Sequence, residues 1–365
     1  MALALRVAVL HLLVDLALLQ QKTDAQRVEI HQKRGLKKCK FYKIYQLGDS
    51  ICDTGNCIRE SFCGSHSSSA KPPYGMSFFH KPTGRCSNGL LIIDFIALEC
   101  SLPLLNPYKD QGANFTHGAN FAVAGATALS VQVLAEKKIA MSFTNSSLDV
   151  QLDWMSSHFE TTCSPDCSAQ LKSSLFLVGH IGGNETNFGI SQGKTMEELQ
   201  KLVTDIVQTI IHGVKELSQK GCRPAFLTQF MTNNSAAYDK YHCLKDLNNL
   251  AIFYNDHLQQ AIDKLKKEYK NITLIYSDYY NAYMWLLQNA VTLGFYKNSL
   301  QKACCGIGGD YNYDRSKKCG APGVPVCVDP STHFSWDGLH LTQAAYRWAA
   351  RWLINDMLPK LNCHV

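Results

Sequence analysis

Between residues 43 and 358 short apolar runs alternate with long segments of helical period, and this alternation constrains the fold more than any other feature. Residues 43–47 (KIYQL) read as a strand ending in Gly48-Asp49-Ser50, and 175–181 (LFLVGHI) as a second ending in Gly182-Gly183-Asn184. From 195 to 220, Leu199, Leu202, Val203, Ile206, Ile210, Val214 and Leu217 recur at the spacing of one helical face, with Thr195 and Glu198 as a capping box and Gly221 as a stop. A strand-like run at 225–230 follows, then a helix with Leu244, Leu247, Leu250, Tyr254, Leu258, Ile262 and Leu265 on its face. A strand-like run at 272–276 and a closing helix over 342–358 complete the pattern. Strands separated by helices of this length need crossovers, so the fold class is α/β with a mostly parallel sheet covered on both faces. No linker, repeat or low-complexity tract interrupts it, which predicts one large domain over 43–362 preceded by an extension at 26–42.

The N-terminus carries Arg6, an apolar run from Val7 to Leu19, and a polar stretch through Gln20, Lys22 and Asp24. Residues 1–25 therefore read as a signal peptide cleaved near Ala25; His11 and Asp15 depart from that pattern, and a short amphipathic helix is the competing reading. Fifteen cysteines in 365 residues are too many for a comfortable cytosolic enzyme, so several are bridged or several bind metal. Sequons at Asn114, Asn145, Asn233 and Asn271 are candidate glycosylation sites, whereas the sequon at Asn184 is expected to stay unmodified at a folded strand end. Together these features predict the secretory pathway, with the protein extracellular or vacuolar. A composition of 46% hydrophobic and 18% charged residues excludes disorder and a polytopic membrane protein. The net charge of +6 is spread along the chain, which predicts no nucleic-acid partner, and no further apolar run is long enough to span a bilayer. The expected state is a monomer.

Chemistry concentrates at the predicted strand ends, where open α/β sheets bind ligands. Ser50 follows a strand and Gly48, and a serine opening a turn or helix offers both a hydroxyl and its own N–H. A general base stands at His340, three residues after Asp337, on a loop entering the last helix. Gly125 ends the apolar run that starts at Asn120, and Asn184 carries a side-chain amide, so both can donate to a developing oxyanion. Taken singly, each has a plainer reading: Ser50 as a cap, Asp337 as a helix-start residue, Gly125 and Asn184 as turn chemistry.

In combination the chain resembles the plant GDSL esterase/lipase family within the SGNH hydrolases. The likeness rests on Gly48-Asp49-Ser50 with Asp53-Thr-Gly55-Asn56, Thr83-Gly-Arg85-Cys-Ser-Asn-Gly89 with Ile93-Asp94-Phe95, and Gly118-Ala-Asn120-Phe-Ala-Val-Ala-Gly125. Gly179-His-Ile-Gly182-Gly183-Asn184 and Phe334-Ser-Trp-Asp337-Gly-Leu-His340 complete it. Cys304-Cys305-Gly-Ile-Gly-Gly with Tyr311-Asn-Tyr313 is similar to the branch that contains acetylajmalan esterase and sinapine esterase. The resemblance implies a three-layer α/β/α sandwich, flavodoxin-like in its layering. It implies Ser50 as nucleophile, His340 as base and then acid, Asp337 as the group orienting His340, and an oxyanion hole of the Ser50 and Gly125 N–H groups with the Asn184 side chain. A serine carboxylesterase would then cleave a small acyl ester of a plant metabolite, such as an alkaloid or phenolic ester, through an acyl-Ser50 intermediate without cofactor or metal. An acyltransferase with the same triad and a non-catalytic binding protein are the alternatives. If His340 is the base, activity falls below about pH 6.

Some residues depart from the family pattern. Glu185 stands where the third block has aspartate, which puts the orientation of the Asn184 amide in question. Residues 229–235 (QFMTNNS) replace a Pro-Ile-Gly-Cys segment near the pocket wall, and His180 replaces an acidic residue, with a surface or supporting role expected. Cys52 suggests a thiol nucleophile, but a disulfide with Cys57, Cys63 or Cys86 is preferred; Cys304, Cys305, Cys319 and Cys327 suggest zinc, but disulfides fit an oxidising compartment better. Tyr279, Tyr280, Tyr283, Met284, Trp285, Phe230 and Met231 could wall an apolar pocket, although core packing is preferred for most.

Overall fold

Strand β1 (Lys43–Leu47) is buried along four of its five residues because it is the middle strand of a parallel sheet. It pairs on one side with β2 (Gly118–Asn120) and on the other with β3 (Ser174–Val178), in the registers Ile44 to Gly118 and Ile44 to Leu175. A strand covered on both faces needs an unbroken apolar sequence, and the buried residues 44–47 provide it with one exception. That exception, Gln46, is 2% exposed and donates to the carbonyls of Leu177 and Gly179, fastening the exit of β3 to the centre of the sheet. The computed structural model describes residues 35–361 apart from 65–66, 142, 163–170, 217–233, 242 and 271, together with residue 363.

Eight α-helices accompany the sheet among the described residues: α1 (Ile92–Glu99), α2 (Val131–Glu136), α3 (Leu148–Thr162), α4 (Gly183–Ser191), α5 (Met196–Glu216), α6 (Lys245–Glu268), α7 (Tyr279–Asn289) and α8 (Gln343–Met357). They pack in two groups, α8 against α1 and α7, and α5 against α3, α4 and α6. This is the α/β arrangement predicted by the alternation. The capping box forms as read: the Thr195 N–H donates to Glu198 Oε2 at 2.8 Å and the Glu198 N–H to Thr195 Oγ1 at 3.2 Å. Thr342 caps α8 by accepting from the Ala345 N–H, one residue inside the predicted start.

Among the described residues the run at 272–276 joins no ladder, and Leu274, Ile275 and Tyr276 are buried in the core. The runs at 225–230, the wall segment including Phe230 and Met231, the leader at 1–25, and Asn233 and Asn271 lie outside the described residues. Tyr279 and Tyr283 pack inward as core, Tyr283 edge-on to Phe334 at 5.2 Å. No helix among the described residues is long and apolar enough to cross a membrane.

Four disulfides join described residues: Cys39–Cys363, Cys57–Cys63, Cys304–Cys327 and Cys305–Cys319. The last two resolve the choice between zinc and bridges for those four cysteines, since a bridged sulfur offers no thiolate. Cys52 corrects the sequence expectation. It is unbridged and buried, its thiol donates to the Gly179 carbonyl at 3.4 Å, and burial pushes its pKa far up. A thiol so held is a packing group, not a nucleophile.

The arginine and aspartate of the second motif block meet in the core. Arg85 Nε and Nη2 each lie 2.8 Å from a carboxylate oxygen of Asp94, and Asp94 also accepts from the Leu91 N–H at the start of α1. Both side chains are almost fully buried, at 6% and 0% exposure. Replacing Asp94 with alanine leaves a guanidinium buried and unpaired, at a cost of about 3–5 kcal/mol. Urea unfolding of Asp94→Ala should show that loss, and an unchanged midpoint would remove the pair from the account of stability.

Candidate active site

Ser50 sits on a turn that the chain is forced to make at the end of β1. At Gly48 the Gln151 side chain of α3 bonds both backbone groups, accepting from the N–H at 2.8 Å and donating to the carbonyl at 2.9 Å, and the same carbonyl also accepts from the Val123 N–H. A side chain at Gly48 would place its Cβ 2.8 Å from the His180 carbonyl oxygen, so only glycine passes so close to the neighbouring strand end. Beyond it the Asp49 N–H donates to the His180 carbonyl, and the N–H groups of Cys52 and Asp53 both return to the Asp49 carbonyl. This is a tight turn and not a helix.

The turn is sewn to the segment after β2. Asp53 is fully buried and accepts from the N–H groups of Gly55, Asn56, Cys57 and Ala124. Asn56 donates to the carbonyls of Asn120 and Ala122, and Asn120 donates back to the Cys52 carbonyl. The motif residues Asp53, Asn56 and Asn120 thus fix Gly125 relative to Ser50 through backbone contacts.

Against this turn the loop before α8 brings His340, whose Nε2 is 2.9 Å from Ser50 Oγ and whose Nδ1 is 2.8 Å from Asp337 Oδ2. Asp337 accepts two further backbone bonds on Oδ1, from Leu339 and His340, and one on Oδ2 from the Tyr74 hydroxyl at 2.7 Å. Burial alone would lower the basicity of His340, but the Asp337 charge and hydrogen bond, with the Cys86 sulfur beside the ring, hold its pKa well above the usual 6.5. Burial opposes ionisation of Asp337, yet the His340 charge and the bonds it accepts hold its carboxyl below the usual 3.8.

Among the described residues no acceptor lies on the Ser50 N–H or the Gly125 N–H, while their backbone neighbours are paired. Gly125 has φ +85°, a conformation natural to glycine, and a Cβ there would lie 2.7 Å from Phe143 Cβ. Asn184, in the first turn of α4, donates one amide hydrogen to the Ala126 carbonyl at 2.7 Å, which fixes the side chain and leaves a second hydrogen. Glu185 is fully buried and turned away from it, its Oε1 accepting from the N–H groups of Ala128 and Leu129 at 2.7 and 3.2 Å. Asn184 and Glu185 therefore both bond the turn that follows Gly125. Ser50, Gly125, Asn184, Asp337 and His340 line one cavity of about 790 Å3.

Further residues complete the site. His180 is 8% exposed and not a surface residue; its Nδ1 lies 3.4 Å from Asp49 Oδ2, and it lines the same cavity. Gln151 could have been noticed as a polar residue on the same helix as the buried Leu148, Leu152 and Met155. Tyr74 gave no signal, since nothing in its neighbourhood marks its hydroxyl as a partner for a carboxylate 263 residues away.

The sequence comparisons agree with the geometry. Residues 44–353 match the family model for the GDSL-like lipase/acylhydrolase. Acetylajmalan esterase 1 of Rauvolfia serpentina is 42% identical over 337 residues, covering 89% of each chain. A second acetylajmalan esterase of that species is 42% identical over 340 residues, covering 89% of this chain and 88% of its own. A GDSL esterase/lipase of Arabidopsis thaliana is 43% identical over 335 residues, covering 87% of this chain and 83% of its own.

Proposed function

Because the chain belongs to the GDSL-like lipase/acylhydrolase family and is a carboxylic ester hydrolase, we propose that it cleaves a small acyl ester of a plant specialised metabolite through an acyl-Ser50 intermediate. The observation that carries this reading is the continuous relay from Ser50 Oγ to His340 Nε2 at 2.9 Å and from His340 Nδ1 to Asp337 at 2.8 Å.

In the first half-reaction His340 Nε2 takes the Ser50 proton as Oγ forms its bond to the ester carbonyl carbon. Asp337, held by four donors, stabilises the imidazolium that results. Negative charge collects on the former carbonyl oxygen, which the N–H groups of Ser50 and Gly125 and the free Asn184 amide hydrogen receive. Collapse expels the alcohol with the proton from His340. Water then gives its proton to the same nitrogen, attacks the acyl carbon and releases the acid and Ser50. The second motif hydrogen on Asn184 and the orientation of Glu185 speak against a repurposed, non-catalytic protein.

Relatives named for acetylajmalan support an acetyl or similarly small acyl group on a specialised metabolite. Four disulfides among the described residues support a secreted or vacuolar protein. The test is an intact-mass spectrum of protein quenched during turnover of an aryl acetate. One acyl group on the Ser50 peptide is expected; sustained turnover with Ser50 unacylated would rule out the covalent route. Transfer of the acyl group to an added alcohol in preference to water would favour the acyltransferase.

A further inference from the structure

The cavity is chemically two-sided. One side is apolar, built from Phe143, Phe188, Val203, Leu250 and Tyr254. The other is formed by the loop between the bridged Cys305 and Cys319, and it carries Tyr313, Arg315 and Lys318. That loop is held in place as well as closed. Cys304–Cys327 bridges its base, the two disulfides pack with Trp336 and Tyr74, and the Tyr313 ring lies on Gly338, 2.3 Å from where a Cβ would stand. Of the loop's two carboxylates, Asp310 and Asp314, neither lines the cavity, and Asp314 accepts from the N–H and hydroxyl of Ser316.

Among the described residues two carboxylates line the cavity, Asp49 and Asp337, each directed at a histidine, His180 and His340. Arg315 and Lys318 line the same cavity, are exposed at its solvent-facing edge, and form no ion pair among the described residues. Lys318 Nζ lies 5.7 Å from the centre of the Phe143 ring, and that ring packs on Gly125 and stacks on Phe188 at 6.2 Å. The positive charge therefore stands one aromatic ring away from a proposed oxyanion donor.

We infer that Arg315 and Lys318 form an anion subsite, and that the preferred substrate is an ester whose alcohol part is a compact aromatic group bearing a carboxylate. This rests on the ester-hydrolase reading of the cavity and narrows it. Of the two substrate types that reading allows, a phenolic ester with an acid group fits the edge, whereas an alkaloid with a protonated amine meets two like charges. Arg315 supplies a planar fork suited to a carboxylate, and Lys318 a compact charge over the ring that would face the substrate. Both side chains are solvated, so the preference should be moderate, carried by KM and weakened by salt.

Three esters with the same acyl group test it: para-acetoxybenzoate, its methyl ester, and para-acetoxyphenyl-trimethylammonium. After correction for their uncatalysed rates, the wild type should favour the anion over the cation in kcat/KM by about tenfold at low ionic strength, mostly through KM. Arg315→Gln/Lys318→Gln should flatten that ratio and Arg315→Glu/Lys318→Glu should invert it. Equal or better use of the cationic ester by the wild type, or a ratio indifferent to these substitutions, overturns the proposal. Calorimetric binding of the same anionic and cationic esters to Ser50→Ala protein reads the subsite without turnover. If the wild type hydrolyses none of the three, the esterase reading fails by itself, and the binding ratio still decides for or against the anion subsite.

Discussion

Ser50→Ala is expected to lower kcat for an aryl acetate by on the order of a million-fold and to abolish labelling by a fluorophosphonate probe. The magnitude follows from removing the oxygen bonded to the base: Oγ is the partner of Nε2 at 2.9 Å, and among the described residues no other hydroxyl is bonded to that nitrogen. Folding should survive, because the turn is held by the backbone bonds of Asp49, Cys52 and Asp53 and by Gln151 on Gly48, none of which uses the Ser50 side chain. An unchanged melting temperature alongside lost activity therefore assigns the effect to chemistry. Residual turnover of about 10³–10⁴ over water should persist, since the backbone donors and the cavity remain. The neighbouring Cys52→Ser should retain turnover, because that thiol bonds the Gly179 carbonyl away from the relay. Loss of labelling in Cys52→Ser with labelling retained in Ser50→Ala would reverse the assignment.

How much of this was legible in the chain depended on whether a residue's role is local. The helical period and capping box of α5 are local, and they read correctly from Thr195 and Glu198. The parallel sheet was legible because helices of that length leave few other connections between strands. Motif residues whose work is backbone pairing, such as Asp53 and Asn120, were recognisable as a pattern but not as a set of bonds. Long-range partners left no mark. Tyr74 reaches Asp337, Gln151 reaches Gly48, and Cys52 stays unbridged, its thiol donating to the Gly179 carbonyl while Cys57 and Cys63 bridge each other. The most instructive case is Glu185, where one extra methylene looked damaging beside Asn184. In the fold the carboxylate accepts from the N–H groups of Ala128 and Leu129, so the departure from the motif bonds the same turn that Asn184 does. Sequence spacing reports the length of a side chain but not its direction.

Asp337→Asn should cost about 10⁴ in kcat and move the acid limb of the rate profile to lower pH. The loss arises from the wrong tautomer. An asparagine amide can donate to His340 Nδ1, which leaves the ring proton on Nε2, where it faces Ser50 Oγ and cannot accept the serine proton. The pH shift has a separate cause with a definite sign. In the wild type His340 must be neutral to act as base, and its pKa is held well above 6.5, so kcat/KM should rise with pH through a midpoint above 6.5 and not below pH 6 as the motif alone suggested. Without the Asp337 charge the opposing effect of burial prevails and the midpoint falls. Stability should respond in the complementary sense. The raised His340 pKa contributes stability that is fully present below 6.5 and lost as pH rises through the folded value. The depressed Asp337 pKa contributes stability present above 3.8 and lost as pH falls through its folded value. The difference in stability between wild type and Asp337→Asn should therefore be greatest in the acid to neutral range and shrink in alkali. Tyr74→Phe removes one donor from Asp337 Oδ2 but leaves His340 Nδ1 bonded, so its effect on kcat should be far smaller. Profiles of kcat/KM against pH for the three proteins check this chain of inference, and an Asp337→Asn enzyme within tenfold of wild type, with an unmoved midpoint, would remove Asp337 from the relay.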